Sequence, residues 1–111
     1  MENDQLPRFV IAAYHPREGM EAKLLALVKG HMPILREQGL VTDRPSYAMR
    51  ARNGTILEVF EWKSGEAIRE AHTYPAVQAL WGKFATVCEF ETLASLDEAI
   101  HMFAEFEPIE I

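Results

Sequence analysis

His31, His72 and Glu58 each place a titratable group in an otherwise apolar pattern, and together they form an acid–base set. His31 recurs with Met20, Leu24, Leu27, Val28, Ile34 and Leu35 at three- and four-residue spacing, so it lies on the buried stripe of a helix. An imidazole there either binds or deprotonates a phenolic or enolic ligand, or is a core histidine bonded to a backbone carbonyl. His72 ends a second amphipathic segment. It either stabilises the negative end of that helix as imidazolium or is aimed into a pocket at the break Thr73-Tyr74-Pro75. Glu58 sits among apolar strand residues, a setting that raises a carboxyl pKa; its structural alternative is an ion pair with Arg50 or Arg52. Tyr14, Tyr47, Trp62 and Trp81 would supply flat walls and orienting O–H and N–H groups for a planar ligand, or else ordinary core.

The elements that must position these groups follow from periodicity and turn chemistry. Phe9 to Tyr14 is a short apolar run closed by His15-Pro16, which reads as a buried strand. The first helix begins at Met20 and stops before Gly39, with a bend expected near His31 because Pro33 lies inside it. Asn53-Gly54 between alternating segments predicts a two-residue hairpin. That turn sets Arg52 opposite Thr55, Met49 opposite Glu58 and Tyr47 opposite Phe60. One sheet face then carries Tyr47, Met49, Glu58, Phe60 and Trp62, and the other carries Glu61 with Arg50.

Ser64 is an N-cap for the helix bearing Ala67, Ile68, Ala71 and His72. Pro75 opens a further helix with Val77, Leu80, Trp81, Phe84 and Val87 or Cys88 on its stripe. Ser95 to Glu98 has capping-box spacing, and Met102 to Glu107 alternates as a last strand. The order β-α-β-β-α(α)-β predicts one α+β domain over 1–111, a ferredoxin-like four-stranded antiparallel sheet with helices on one face. Both faces of the hairpin are rich in apolar groups, so the uncovered face is expected to pack on a second copy as a homodimer.

Composition bounds the partners. A net charge of −6 argues against nucleic acid or an anionic membrane. No apolar run reaches the roughly 20 residues of a spanning helix, Met1 to Gln5 is polar and acidic, and Cys88 is the sole cysteine. A soluble cytoplasmic protein is the expectation. No metal-ligand spacing, glycine-rich phosphate loop, Gly-x-Ser-x-Gly elbow or Walker motif occurs, and the Cys88 position disfavours a thiolate.

Strand Phe9 to Tyr14 with the Pro-x-x-Gly turn Pro16 to Gly19, hairpin Tyr47 to Trp62, and the run Glu61-Trp62-Lys63-Ser64 through Glu66-Ala67 to Ala71-His72 together resemble the dimeric α+β barrel superfamily, the antibiotic biosynthesis monooxygenase-like group. The resemblance covers nearly the whole chain. It implies a pocket between sheet and helices, roofed by the helix that carries Trp81, and a histidine at the His72 position. It leaves the acidic strand position open between Glu58 and Glu61. Members include cofactor-independent oxygenases of aromatic polyketides, haem-degrading enzymes and isomerases. Phe9 to Tyr14 lacks the Asn that the haem-degrading branch carries on its first strand, so haem chemistry is not implied. The expectation is proton abstraction from a small aromatic or carbonyl compound without a cofactor, as a monooxygenase or isomerase; the alternative is a non-catalytic ligand-binding or structural homodimer.

Overall fold

The computed structural model describes residues 3–111. Its element order is β1 (Arg8–Pro16), α1 (Glu21–Glu37), β2 (Tyr47–Arg50), β3 (Ile56–Trp62), α2 (Gly65–Ala71), α3 (Pro75–Val87), β4 (Cys88–Glu91) and β5 (Glu107–Ile109). Short 3₁₀ turns cover Asn3–Gln5, Leu93–Ser95 and Asp97–Ile100. The sheet has five strands rather than the expected four, in the order β4-β1-β3-β2-β5, with every neighbouring pair antiparallel. The additional strand, β4, begins at the residue after α3 ends. Helical and strand apolar patterns merge across Val87 and Cys88, which is why spacing alone conceals it.

The helices form as their stripes predict. Leu24, Val28, His31, Met32 and Leu35 are the buried positions of α1, which continues through Pro33 to Glu37. Gly39 takes φ +75°, and the Leu40 N–H donates to the Leu35 carbonyl, so the left-handed residue turns the chain back under the helix end. The Ser64 hydroxyl accepts from the Ala67 N–H at 3.0 Å, and Pro75 occupies the first turn of α3. The expected capping box at Ser95 does not form. Ser95 and Glu98 fall in separate 3₁₀ turns, and the Glu98 carboxylate accepts from the Arg52 N–H at 2.8 Å. That bond, with the Arg52 charge nearby, holds the Glu98 carboxyl below the usual carboxylate range. The last strand starts at Glu107 instead of ending there.

The hairpin register differs from expectation by one residue. Only Gly54 has positive φ (+94°), while the Asn53 side-chain oxygen accepts from the Thr55 N–H. The Gly54 N–H donates to the Ala51 carbonyl and the Ala51 N–H to that of Thr55. These bonds describe a three-residue loop with a glycine bulge rather than a two-residue type I′ turn. Tyr47 therefore faces Val59, Ala48 faces Glu58 and Met49 faces Leu57. A one-residue slip exchanges faces, so Tyr47 and Met49 leave the side that carries Glu58, Phe60 and Trp62.

The helices pack on that latter side. Tyr14, Ala48 and Ile56 meet Leu24, Val28, Leu80 and Phe84, and Phe60 and Trp62 meet Met32, Leu35, Ala71 and Val77. Across the sheet, Leu96 and Phe106 of the C-terminal segment cover Leu57 and Met49. Phe9 (59 % exposed), Ile11 (46 %) and Tyr47 (63 %) stay open there. No described helix is long and apolar enough to cross a membrane.

Candidate functional site

Between the sheet and helices α1 and α3 lies a cavity of about 310 Å³. Val10, Ala12 and Tyr14 of β1 and Phe60 and Trp62 of β3 make its floor; His31 of α1, Trp81 and Phe84 of α3 and Phe90 of β4 complete the wall. Alternation along β1 and β3 places these floor residues on one face. Antiparallel pairing sets Ala12 opposite Glu58 and Tyr14 opposite both Ile56 and Phe90.

Three of the lining residues, Tyr14, His31 and Trp81, join with the buried Glu58 behind them in a continuous chain of polar side chains. The Tyr14 hydroxyl donates to Glu58 Oε1 at 2.8 Å, His31 Nδ1 lies 2.8 Å from the same oxygen, and Trp81 Nε1 donates to His31 Nε2 at 3.1 Å. An indole N–H can only donate. His31 Nε2 is therefore an unprotonated acceptor, and the single proton of a neutral imidazole sits on Nδ1, pointing at Glu58. Glu58 is fully buried, and its second oxygen, Oε2, has no hydrogen-bond partner. The His31 ring lies edge-on to Phe60 at 5.5 Å and tilted against Phe84 at 5.2 Å. Burial, reinforced by the Glu58 charge and hydrogen bond, pushes the Tyr14 phenol well above its ordinary range.

A raised phenol pKa has a direct consequence for stability. The folded state keeps the Tyr14 proton at pH values where the unfolded chain loses it, near pH 10. The contribution is complete below that value and is lost as pH rises through the folded pKa. Thermal denaturation above about pH 10 is thus expected to show a steep loss of stability in the wild type and a shallower one in Tyr14→Phe. Identical alkaline slopes would remove Tyr14 as the group responsible.

Glu58 and His31 are brought together as sequence reasoning allowed, and with Tyr14, Trp62 and Trp81 they belong to one site. Glu58 pairs with neither Arg50 nor Arg52; Arg50 binds Glu21 and Glu107 instead. Glu61 lies on the opposite face, where it takes the Thr42 hydroxyl at 2.9 Å and Arg44 at 2.8 Å. Tyr47 is turned away from the cavity by the register shift. His72 is exposed at the end of α2, with Nδ1 3.0 Å from the Ile68 carbonyl. Its ring stands 5.0 Å from that of Trp81, and it is not among the residues lining the cavity.

Phe84, a possible wall that its helical spacing assigns to ordinary core, lines the cavity, and so does Phe90, which the sequence pattern does not single out. Phe84 carries a signal, since it follows Trp81 by three residues on the same helical stripe, whereas Phe90 depends on a strand that periodicity does not reveal. Among the described residues no three His, Cys, Asp or Glu side chains are grouped as a metal ion requires. Cys88 donates to the Phe84 carbonyl, and burial pushes its thiol up to about 11.

The architecture has counterparts among solved structures. Protein SO0527 from Shewanella oneidensis superposes with a TM-score of 0.62 at 18% identity, over 78% of this chain and 86% of that one. Rv0793 from Mycobacterium tuberculosis gives a TM-score of 0.60 at 22% identity, over 84% of this chain and 98% of that one. At these identities the likeness shows a shared compact antiparallel α+β fold. No protein-family model and no curated protein matches the chain.

Proposed function

We propose that the cavity binds a small, uncharged, largely apolar compound, and that His31 acts on it as a general base supported by Glu58. The observation that carries this reading is the Tyr14–Glu58–His31 chain ending in an unprotonated Nε2 at the wall of an apolar cavity. Nε2 would take a proton from an acidic O–H or C–H. Glu58 would keep the imidazole in the needed tautomer and stabilise the imidazolium that forms, the same division of labour as in a Ser-His-Asp triad. Tyr14 would remain a donor to Glu58. Return of the proton to another carbon would make the protein an isomerase; reaction of the carbanion with O2 would make it a cofactor-independent monooxygenase. His72, whose ring lies 5.0 Å from that of Trp81, would support Trp81 rather than meet the ligand.

The test uses 4-nitrophenol, whose absorption distinguishes phenol from phenolate. Wild-type protein should bind it with a phenolate band at a pH where the free dye is mainly protonated, and His31→Asn should bind it without that band. Binding as the neutral phenol in both would support the non-catalytic ligand-binding alternative.

We also propose that the chain is a ferredoxin-like member of the antibiotic biosynthesis monooxygenase-like group and pairs through the open sheet face as a dimeric α+β barrel. Phe9, Ile11 and Tyr47 support this, as large apolar groups left exposed together on one face. Ile11→Glu should convert a dimer to a folded monomer in sedimentation equilibrium, weakening association by roughly a hundredfold or more through burial of a charge at the interface. A wild-type monomer, or a variant as dimeric as the wild type, would refute the pairing.

A further inference from the structure

Resting on the reading of His31 as the base, we infer that Trp81 is a latch on it, released only by a ligand that brings its own hydrogen-bond donor. An imidazole nitrogen offers a single lone pair, and that of His31 Nε2 is already taken by the Trp81 N–H. In this state the base cannot accept a proton from anything else. The bond is 3.1 Å long, and Trp81, unlike His31, is only half-buried, so the indole can reach solvent by a side-chain rotation. An indole swung outward would exchange His31 for water at little loss.

The surroundings confine that motion to the side chain. Val77, Leu80 and Phe84 anchor α3 in the core on either side of Trp81, so the helix itself is fixed. Trp62 stands 6.4 Å from the indole and the exposed His72 ring 5.0 Å from it. His72 is thereby an outer stop that holds the latch closed, a positioning role consistent with its tether to the Ile68 carbonyl.

Selectivity follows from what is left behind. If Trp81 withdraws and the incoming molecule has no donor, Nε2 stays buried without a partner; a molecule with an O–H at the right end satisfies it. Two ligands of one shape, differing only in that donor, should therefore differ by about tenfold or more in affinity, the usual consequence of a buried unsatisfied acceptor. Tyr14 does not relax the requirement, because its proton is committed to Glu58.

The experiment compares 2-naphthol with 2-methylnaphthalene on ¹⁵N-labelled full-length protein, following the Trp81 indole N–H resonance and its coupling to His31 Nε2 across the hydrogen bond. The Trp81→Phe variant assigns the signal. The latch predicts that 2-naphthol abolishes the coupling and moves the indole signal toward that of water-bonded tryptophan, and that 2-methylnaphthalene does neither. In Trp81→Phe, 2-naphthol should bind about threefold to tenfold tighter, since it no longer competes with the indole. If both compounds bind and both release the indole, or if 2-naphthol binds with the coupling intact, the latch is overturned while the binding site stands. If neither perturbs any lining residue, the ligand-binding reading falls and the latch with it.

Discussion

Glu58→Ala is expected to destabilise the protein by about 3–5 kcal/mol, whereas Glu58→Gln costs only about 1–2 kcal/mol and still abolishes proton transfer. The difference comes from what each variant leaves in the core. Alanine strands two buried donors, the Tyr14 hydroxyl and His31 Nδ1–H, and opens a void between Ala12 and Ala48, its neighbours on the adjoining strands. Glutamine keeps an oxygen at the Oε1 position that both donors can use. Its new N–H₂ replaces Oε2, an atom that has no partner in the wild type, so the penalty is one buried unsatisfied amide. Yet an amide cannot stabilise an imidazolium as a carboxylate does. Glu58→Gln should therefore fold, bind 4-nitrophenol and show no phenolate band, while Glu58→Ala should lose on the order of 10 °C or more in melting temperature. Calorimetry and the dye titration together check both halves. Equal stability losses in the two variants would mean that the hydrogen bonds to Oε1 contribute little, and a phenolate band surviving in Glu58→Gln would remove the carboxylate from the proposed mechanism.

The individual residues of this site were more legible in the sequence than their connections. His31 falls at a buried position of α1 because Leu24, Val28 and Leu35 surround it at helical spacing, and the structure buries all four. Alternation along β3 likewise places Ile56, Glu58, Phe60 and Trp62 on one face, where they are found. The pairing of His31 with Glu58 spans 27 positions and depends on where a helix settles across a sheet, which no local pattern encodes. Tyr47 shows how a correct motif still misplaces a side chain. Asn-Gly favours a tight turn of either loop length, and the choice between two and three residues depends on whether Asn53 adopts positive φ. Here it caps Thr55 instead, the register slips by one, and Tyr47 moves to the open face. Phe90 was invisible for a different reason. A strand that starts where a helix stops presents no turn residue to mark the change.

Phe84→Ala is expected to cost about 3–5 kcal/mol, because this ring is fully buried and carries two walls of the site at once. It lies 4.9 Å from Tyr14 and 5.2 Å from His31, and it closes the cavity between α3 and β1. Truncation removes the transfer free energy of the ring and leaves a hollow that the surrounding helices cannot fill, since Leu80 and Val87 are already packed against neighbours. The hollow joins the existing cavity. A destabilised protein with an enlarged apolar site should regain stability from ligands the wild type excludes, in proportion to RT ln(1 + [L]/Kd). Melting curves with and without anthracene-sized hydrocarbons test this: the variant should melt on the order of 10–20 °C lower alone and recover several degrees on binding, with no comparable shift in the wild type. The same substitution leaves the polar chain its partners, so the coupling between Trp81 and His31 should persist in Phe84→Ala. Its loss would mean that ring packing, rather than the Glu58 hydrogen bond, sets the orientation of His31.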